Sequence, residues 1–87
     1  MRVLVIGAGG VGSAATKIAQ RRNFFESWIL ADYDRQRAET VVAELNDSRF
    51  EAAHIDASNT VEVSSFCKAN RITHVLNAVD PRFVISI

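Results

Sequence analysis

The sequence predicts an α/β fold: the N-terminal part of a doubly wound parallel sheet, with strands in the order 3-2-1-4. Three observations carry that prediction. Val3-Leu4-Val5-Ile6 is a short unbroken apolar run, as expected of a strand covered on both faces. It feeds directly into glycines at Gly7, Gly9 and Gly12, spaced G-x-G-x-x-G, at the head of an amphipathic stretch. Strand-length apolar runs then alternate with stretches of helical period. The order β-α-β-α-β-α-β with short connections closes as a parallel sheet with right-handed crossovers.

The elements follow in chain order. The first strand is Arg2 to Ile6. The first helix runs from about Gly10 to Arg22, with Val11, Ala14, Ala15, Ile18 and Ala19 as its buried stripe. Lys17, Gln20 and Arg21 fall on its wet side. A turn at Asn23 leads to the second strand, Ser27 to Ala31, which ends in Asp32-Tyr33-Asp34. The second helix spans Arg35 to Asn46, repeats the pattern with Ala38, Val41, Val42 and Leu45, and takes Asp34 as its cap. The third strand, Phe50 to Ile55, is rich in alanine and the weakest of the four, and it ends at Asp56. Ser58 or Asn59 caps a third helix over Thr60 to Asn70 that buries Val63, Phe66 and Cys67. The fourth strand is Thr73 to Ala78. Pro81 then suits a first helical turn, with Phe83-Val84-Ile85 opening a fourth helix. A complete doubly wound domain needs two more strands, so residues 1–87 read as a partial domain from the start of a longer protein, without its substrate domain.

Composition narrows the class. Hydrophobic residues make up 48% of the 87, enough for a core, and the ten Lys and Arg balance ten Asp and Glu. That balance gives no footprint for nucleic acid or a membrane surface. The apolar run before the glycines is too short for a signal peptide or a spanning helix, so a cytoplasmic protein is expected. Cys67 has no second cysteine for a disulfide, and nothing at metal spacing accompanies it.

The glycines carry the chemistry. Gly7 permits the turn out of the strand, Gly9 lets backbone approach a pyrophosphate, and Gly12 lets the helix pack on the strand it has left. Gly10 and Val11 then begin a helix whose N-terminal N–H groups and partial positive charge face the phosphates. Asp32 stands about 20 positions past Gly12, where a carboxylate accepts hydrogen bonds from the adenosine ribose. It repels a 2′-phosphate, so NAD is favoured over NADP, although Arg35 lies close enough to pair with such a phosphate. Against this, three glycines can also serve a merely structural strand–turn–helix, and Asp32 a solvated turn. Asp56 and Ala57 end the third strand on the same rim, with reach to the adenine amino group. For Asp56, ligand contact and helix capping stand level. Ala78 and Val79 stand where the fourth strand ends beside the glycine turn, and a small residue such as Ala78 leaves room there for the pyrophosphate and its ribose. Asn77 reads as a strand-end anchor, His54 and His74 as ordinary strand-region residues, and Trp28 with Phe24-Phe25 as packing. There is no nucleophile–base pair and no acid–base dyad, so no catalytic residue is assigned.

The stretches Val3 to Gly12, Leu30-Ala31-Asp32, Ile55-Asp56-Ala57 and Val75-Leu76-Asn77-Ala78 with Pro81 resemble the N-terminal domain of the saccharopine dehydrogenase and lysine dehydrogenase family. The glycine motif is shared with many dehydrogenases, while the aspartate after the third strand and Asn-Ala before a proline are more selective. The resemblance implies NAD(P) binding and, in the full protein, hydride transfer at an amine- or imine-bearing carbon of an amino-acid substrate; a homo-oligomer is expected as well. A competing resemblance is to the nucleotide-sensing regulatory domains of potassium transport systems, which also place an acidic residue after the second and third strands. Asn77-Ala78 with Pro81 favours the dehydrogenase.

Overall fold

In the computed structural model, which describes residues 1–78, four parallel strands form one sheet in the order β3-β2-β1-β4. They are β1 (Arg2–Ile6), β2 (Ser27–Asp32), β3 (Phe50–His54) and β4 (His74–Asn77). The helices between them are α1 (Gly10–Ala19), α2 (Arg35–Leu45) and α3 (Thr60–Ala69). Every predicted element among the described residues is present: β1 has the expected bounds, and no other end is displaced by more than three residues. Pro81 and the expected fourth helix lie outside the described residues, as does Val79.

Register explains the composition of the strands. Leu4 pairs with Ile29 and Val75, while Val5 pairs with Leu30 and Leu76. Alternate side chains therefore enter two separate cores. Val3, Val5, Trp28, Leu30 and Phe50 pack with α1 and α2 residues on one face. Leu4, Ile6, Ile29, Ala31 and Ile55 pack with Val63, Phe66 and Cys67 of α3 on the other. Both faces of β1 and β2 are covered, so these strands need apolar residues at nearly every position. β3 stands at the edge of the sheet and carries partly exposed alanines and a charge, which is why its pattern is weak.

Helix α1 departs from the sequence reading. Its buried residues are Gly12, Thr16 and Ala19, whereas Val11 is 67% and Ile18 60% exposed. The buried stripe is turned by one residue. Gly12 dictates this, since a Cβ there would stand 1.7 Å from the Gly7 carbonyl oxygen. The helix must set that residue against the turn, and Thr16 and Ala19 follow one and two turns later. Thr16 satisfies its buried hydroxyl by donating to the Gly12 carbonyl at 2.7 Å and accepting from the Trp28 indole at 3.1 Å. The helix also stops at Ala19 rather than Arg22, where N–H groups of Arg21 and Arg22 reach carbonyls only three residues back.

The N-caps of α2 and α3 follow the sequence. Asp34 caps α2 by accepting from the Gln36 N–H at 3.1 Å. For α3 the choice between Ser58 and Asn59 resolves to Asn59, which accepts from the Glu62 N–H at 3.0 Å.

Candidate functional site

Because all four strands run parallel, their carboxyl ends share one rim. The strand order reverses between β1 and β4, with β2 on one side and β4 on the other, and ligands bind in such crevices beyond the strand ends. The rim holds a cavity of about 340 Å³. Gly7 and Gly9 from the β1–α1 turn, Asp32 from β2, Asp56 and Ala57 after β3, and Ala78 after β4 all line it. Gly10, Val11 and Gly12 do not line it. Gly10 and Val11 begin α1 and Gly12 faces the turn.

The β1–α1 turn is fixed by its own backbone. Gly7 has φ of 109°, a region that side chains disfavour, and its N–H donates to the Ala31 carbonyl at 2.7 Å. Gly9 is the N-cap of α1, which has no side-chain cap and no acidic residue in its first turn. An electropositive helix end is thus left for an outside anion. A Cβ on Gly9 would meet only the tip of Arg37, at 3.2 Å.

Asp32 is buried at 8% exposure and is no solvated turn residue. One carboxylate oxygen accepts from the Ala8 N–H at 2.7 Å and the other from the Asp34 N–H at 2.9 Å. The side chain therefore ties the end of β2 to the glycine turn. A carboxylate has about four lone-pair sites, so capacity remains for a ligand hydroxyl.

Asp56 does not cap α3. Its carboxylate accepts from the N–H and the hydroxyl of Ser58, at 3.0 and 2.6 Å. The Ser58 hydroxyl is the chief reason its carboxyl titrates below the usual carboxylate range. It is an anion at neutral pH, held at the cavity by a local turn.

Five cavity-lining residues were not among the sequence candidates for the site: the strand-end residues Ile6 and Ile55, and Tyr33, Arg37 and Ser58. Tyr33 follows Asp32 directly, is 72% exposed, and lies 5.5 Å from the His54 ring. Arg37 sits in the first turn of α2, where only its position relative to Asp32 offered a signal. Arg35, by contrast, is engaged by Glu39 one turn along, at 2.9 Å, and does not line the cavity. Among the described residues no helix is long and apolar enough to cross a membrane.

One comparison with known proteins bears on this arrangement. Residues 3–87 match the family model described as the saccharopine dehydrogenase NADP binding domain. The match runs through every strand and helix described above.

Proposed function

The chain belongs to the saccharopine dehydrogenase NADP binding domain family, and from that premise we propose that its rim cavity holds the adenosine half of a nicotinamide dinucleotide in an oxidoreductase. The observation that carries this reading is the convergence of the glycine turn, Asp32 and Asp56 on one cavity at the switch point. Its volume, about 340 Å³, lies at the small end of ligand pockets (roughly 300–1,000 Å³) and suits part of a dinucleotide.

Each residue then has a distinct task. Gly7 makes the turn and Gly9 leaves open the space through which a pyrophosphate approaches. Gly10 and Val11 act through their N–H groups at the uncapped start of α1, and Gly12 seats that helix. Asp32, already fixed by two N–H groups, offers its remaining lone pairs to the adenosine ribose. Asp56 and Ala57 border the adenine, and Ala78 leaves room for the pyrophosphate and its ribose. Taken alone, Asp32 favours NAD over NADP, because a carboxylate repels a 2′-phosphate, whereas the description of the matched family names NADP.

When bound, the dinucleotide supplies hydride transfer. The family resemblance points to an amine- or imine-bearing carbon of an amino-acid substrate as the other partner. The role of this chain is to bind and orient, and the family match supports an oxidoreductase over a nucleotide-sensing regulatory domain.

Two valine substitutions test the assignment. Gly9→Val meets only a flexible side-chain tip and is expected to fold normally while losing dinucleotide binding. Gly12→Val drives a Cβ into the Gly7 carbonyl and is expected to lose stability as well. Titration of NADH and NADPH fluorescence, with thermal unfolding in parallel, separates the two. Unchanged affinity in Gly9→Val would falsify the phosphate-cradle reading.

A further inference from the structure

His54 ends β3 in register with Asp32, the last residue of β2, and so stands at the rim. The Tyr33 ring, which lines the cavity, lies 5.5 Å from the His54 ring and is tilted 50° to it. The His54 Nδ1 is also 4.0 Å from one carboxylate oxygen of Glu62, in the first turn of α3. The other Glu62 oxygen accepts from the Asp56 N–H at 3.4 Å. Glu62 stands three residues past the Asn59 cap, where a carboxylate bonds back to the cap N–H in a capping box. Here the Asp56 carbonyl takes that N–H at 3.0 Å, which leaves Glu62 to Asp56 and His54. His54 and Glu62 therefore grip two cavity-lining residues, Tyr33 and Asp56, without lining the cavity themselves.

We propose that His54 and Glu62 are positioning residues for the adenine side of the cavity, and that they hold it most firmly when His54 is protonated. The inference rests on the dinucleotide reading above and concerns how the affinity of that same site responds to pH. Histidine is the side chain that changes charge between about pH 5 and 8. Protonated, His54 makes an ion pair of its contact with Glu62 and a cation–π contact of its approach to Tyr33. Tyr33 and the Asp56 turn are then drawn to one centre. The same proton offsets the negative charge of Asp56 and Glu62 beside a ligand that carries phosphates of its own. Asp56 already senses this neighbour: the Ser58 hydroxyl and N–H lower its carboxyl most, and the charge of His54 adds to the effect. From α2 the cations at this rim are Arg35, held by Glu39, and Arg37 on the cavity wall. Arginine keeps its charge throughout this range. Affinity should therefore fall as pH rises and His54 loses its proton.

The test is titration of NADH and NADPH from about pH 6 to 8, within the range where histidine titrates, on the intact protein and four variants. Thermal unfolding in parallel confirms that each variant is folded. The ionisation of the cofactor itself is common to all of them and cancels in the comparison. Wild-type affinity should fall roughly two- to fivefold across the range, the scale of an exposed ion pair and a cation–π contact. His54→Phe keeps a ring against Tyr33 but never charges, and should stay at the weaker level throughout. His54→Lys is charged at every pH tested and should keep the tighter affinity at the high end. Glu62→Gln retains an acceptor for the Asp56 N–H but loses the counter-charge, so its profile should flatten. His74→Phe alters the other histidine, which begins β4 at the far end of the sheet, and should leave the slope unchanged. A wild-type slope no steeper than that of His54→Phe would overturn the proposal. So would a His54→Lys variant no tighter than His54→Phe at high pH. If neither cofactor binds the wild type at any pH, the dinucleotide reading itself falls, an outcome distinct from a missing slope.

Discussion

Asp32 joins two tasks in one carboxylate. Its spacing from the glycines made it legible in the sequence, but its burial and its bond to the Ala8 N–H were not, because they depend on how the turn folds back over β2. Asp32→Ala leaves the Ala8 and Asp34 N–H groups without that partner. It should cost about 1–3 kcal/mol of stability in the absence of any ligand, measured by denaturant unfolding. The same variant should lose a further ~1.5–3 kcal/mol of dinucleotide affinity if the ribose contact holds. Loss of affinity with unaltered stability would refute the tie between turn and strand. Arg37 was illegible for a different reason. Two arginines lie in the first turn of α2, and which of them is consumed by Glu39 is settled by helix geometry, since residues four apart share a face.

Elements were easier to find than faces. The periodic apolar residues located α1 and placed Ala15 and Ala19 correctly toward the core, but they also put Val11 and Ile18 there, because hydropathy ranks those two above Gly12 and Thr16. The close approach at Gly12 overrules hydropathy, and a glycine carries no hydropathy signal to announce that it is buried. In α2 no such constraint exists. There Ala38, Val41, Val42 and Leu45 face the core as their spacing indicated. The ends of α2 were partly readable as well. Asp34 accepts from the Gln36 N–H at its start, and Asn46 takes the left-handed conformation, φ 49°, at its finish. Replacing Asp34 by alanine should cost about 0.5–2 kcal/mol by loss of the cap. Asp34→Ser or Asp34→Asn should restore most of it. A chemical-denaturation series over these variants checks the ranking, and a serine variant no better than alanine would contradict the capping role. Because Arg37 projects from the same first turn, a weakened cap should also loosen its placement over Gly9.

At the scale of the molecule, strand order was the most legible feature, since short crossovers and a fixed handedness leave few topologies. The consequence for β4 is a matter of exposure. It pairs with β1 and stands outermost in the sheet among the described residues. Its two apolar side chains fare differently. Val75 packs beside Leu4 and Ile29 on the α3 face, whereas Leu76, in register with Val5 on the opposite face, is 42% exposed. An outer strand with an exposed large apolar residue is a template for another chain, and a polypeptide of this size has little stability in reserve. The 87-residue chain on its own is therefore expected to self-associate through β4. Sedimentation velocity over a range of concentrations should show a rising mean mass, and the thermal midpoint should rise with concentration, as for any coupled association. Leu76→Lys places a charge on the outer strand without disturbing the α3 core, and it should return the chain to a monomer whose midpoint no longer depends on concentration. Val75→Lys would be a poorer probe, since it buries a charge beside Leu4 and lowers stability for an unrelated reason. A wild-type chain that stays monomeric at every concentration would mean that β4 is already covered, and the exposed Leu76 would then have no part in association.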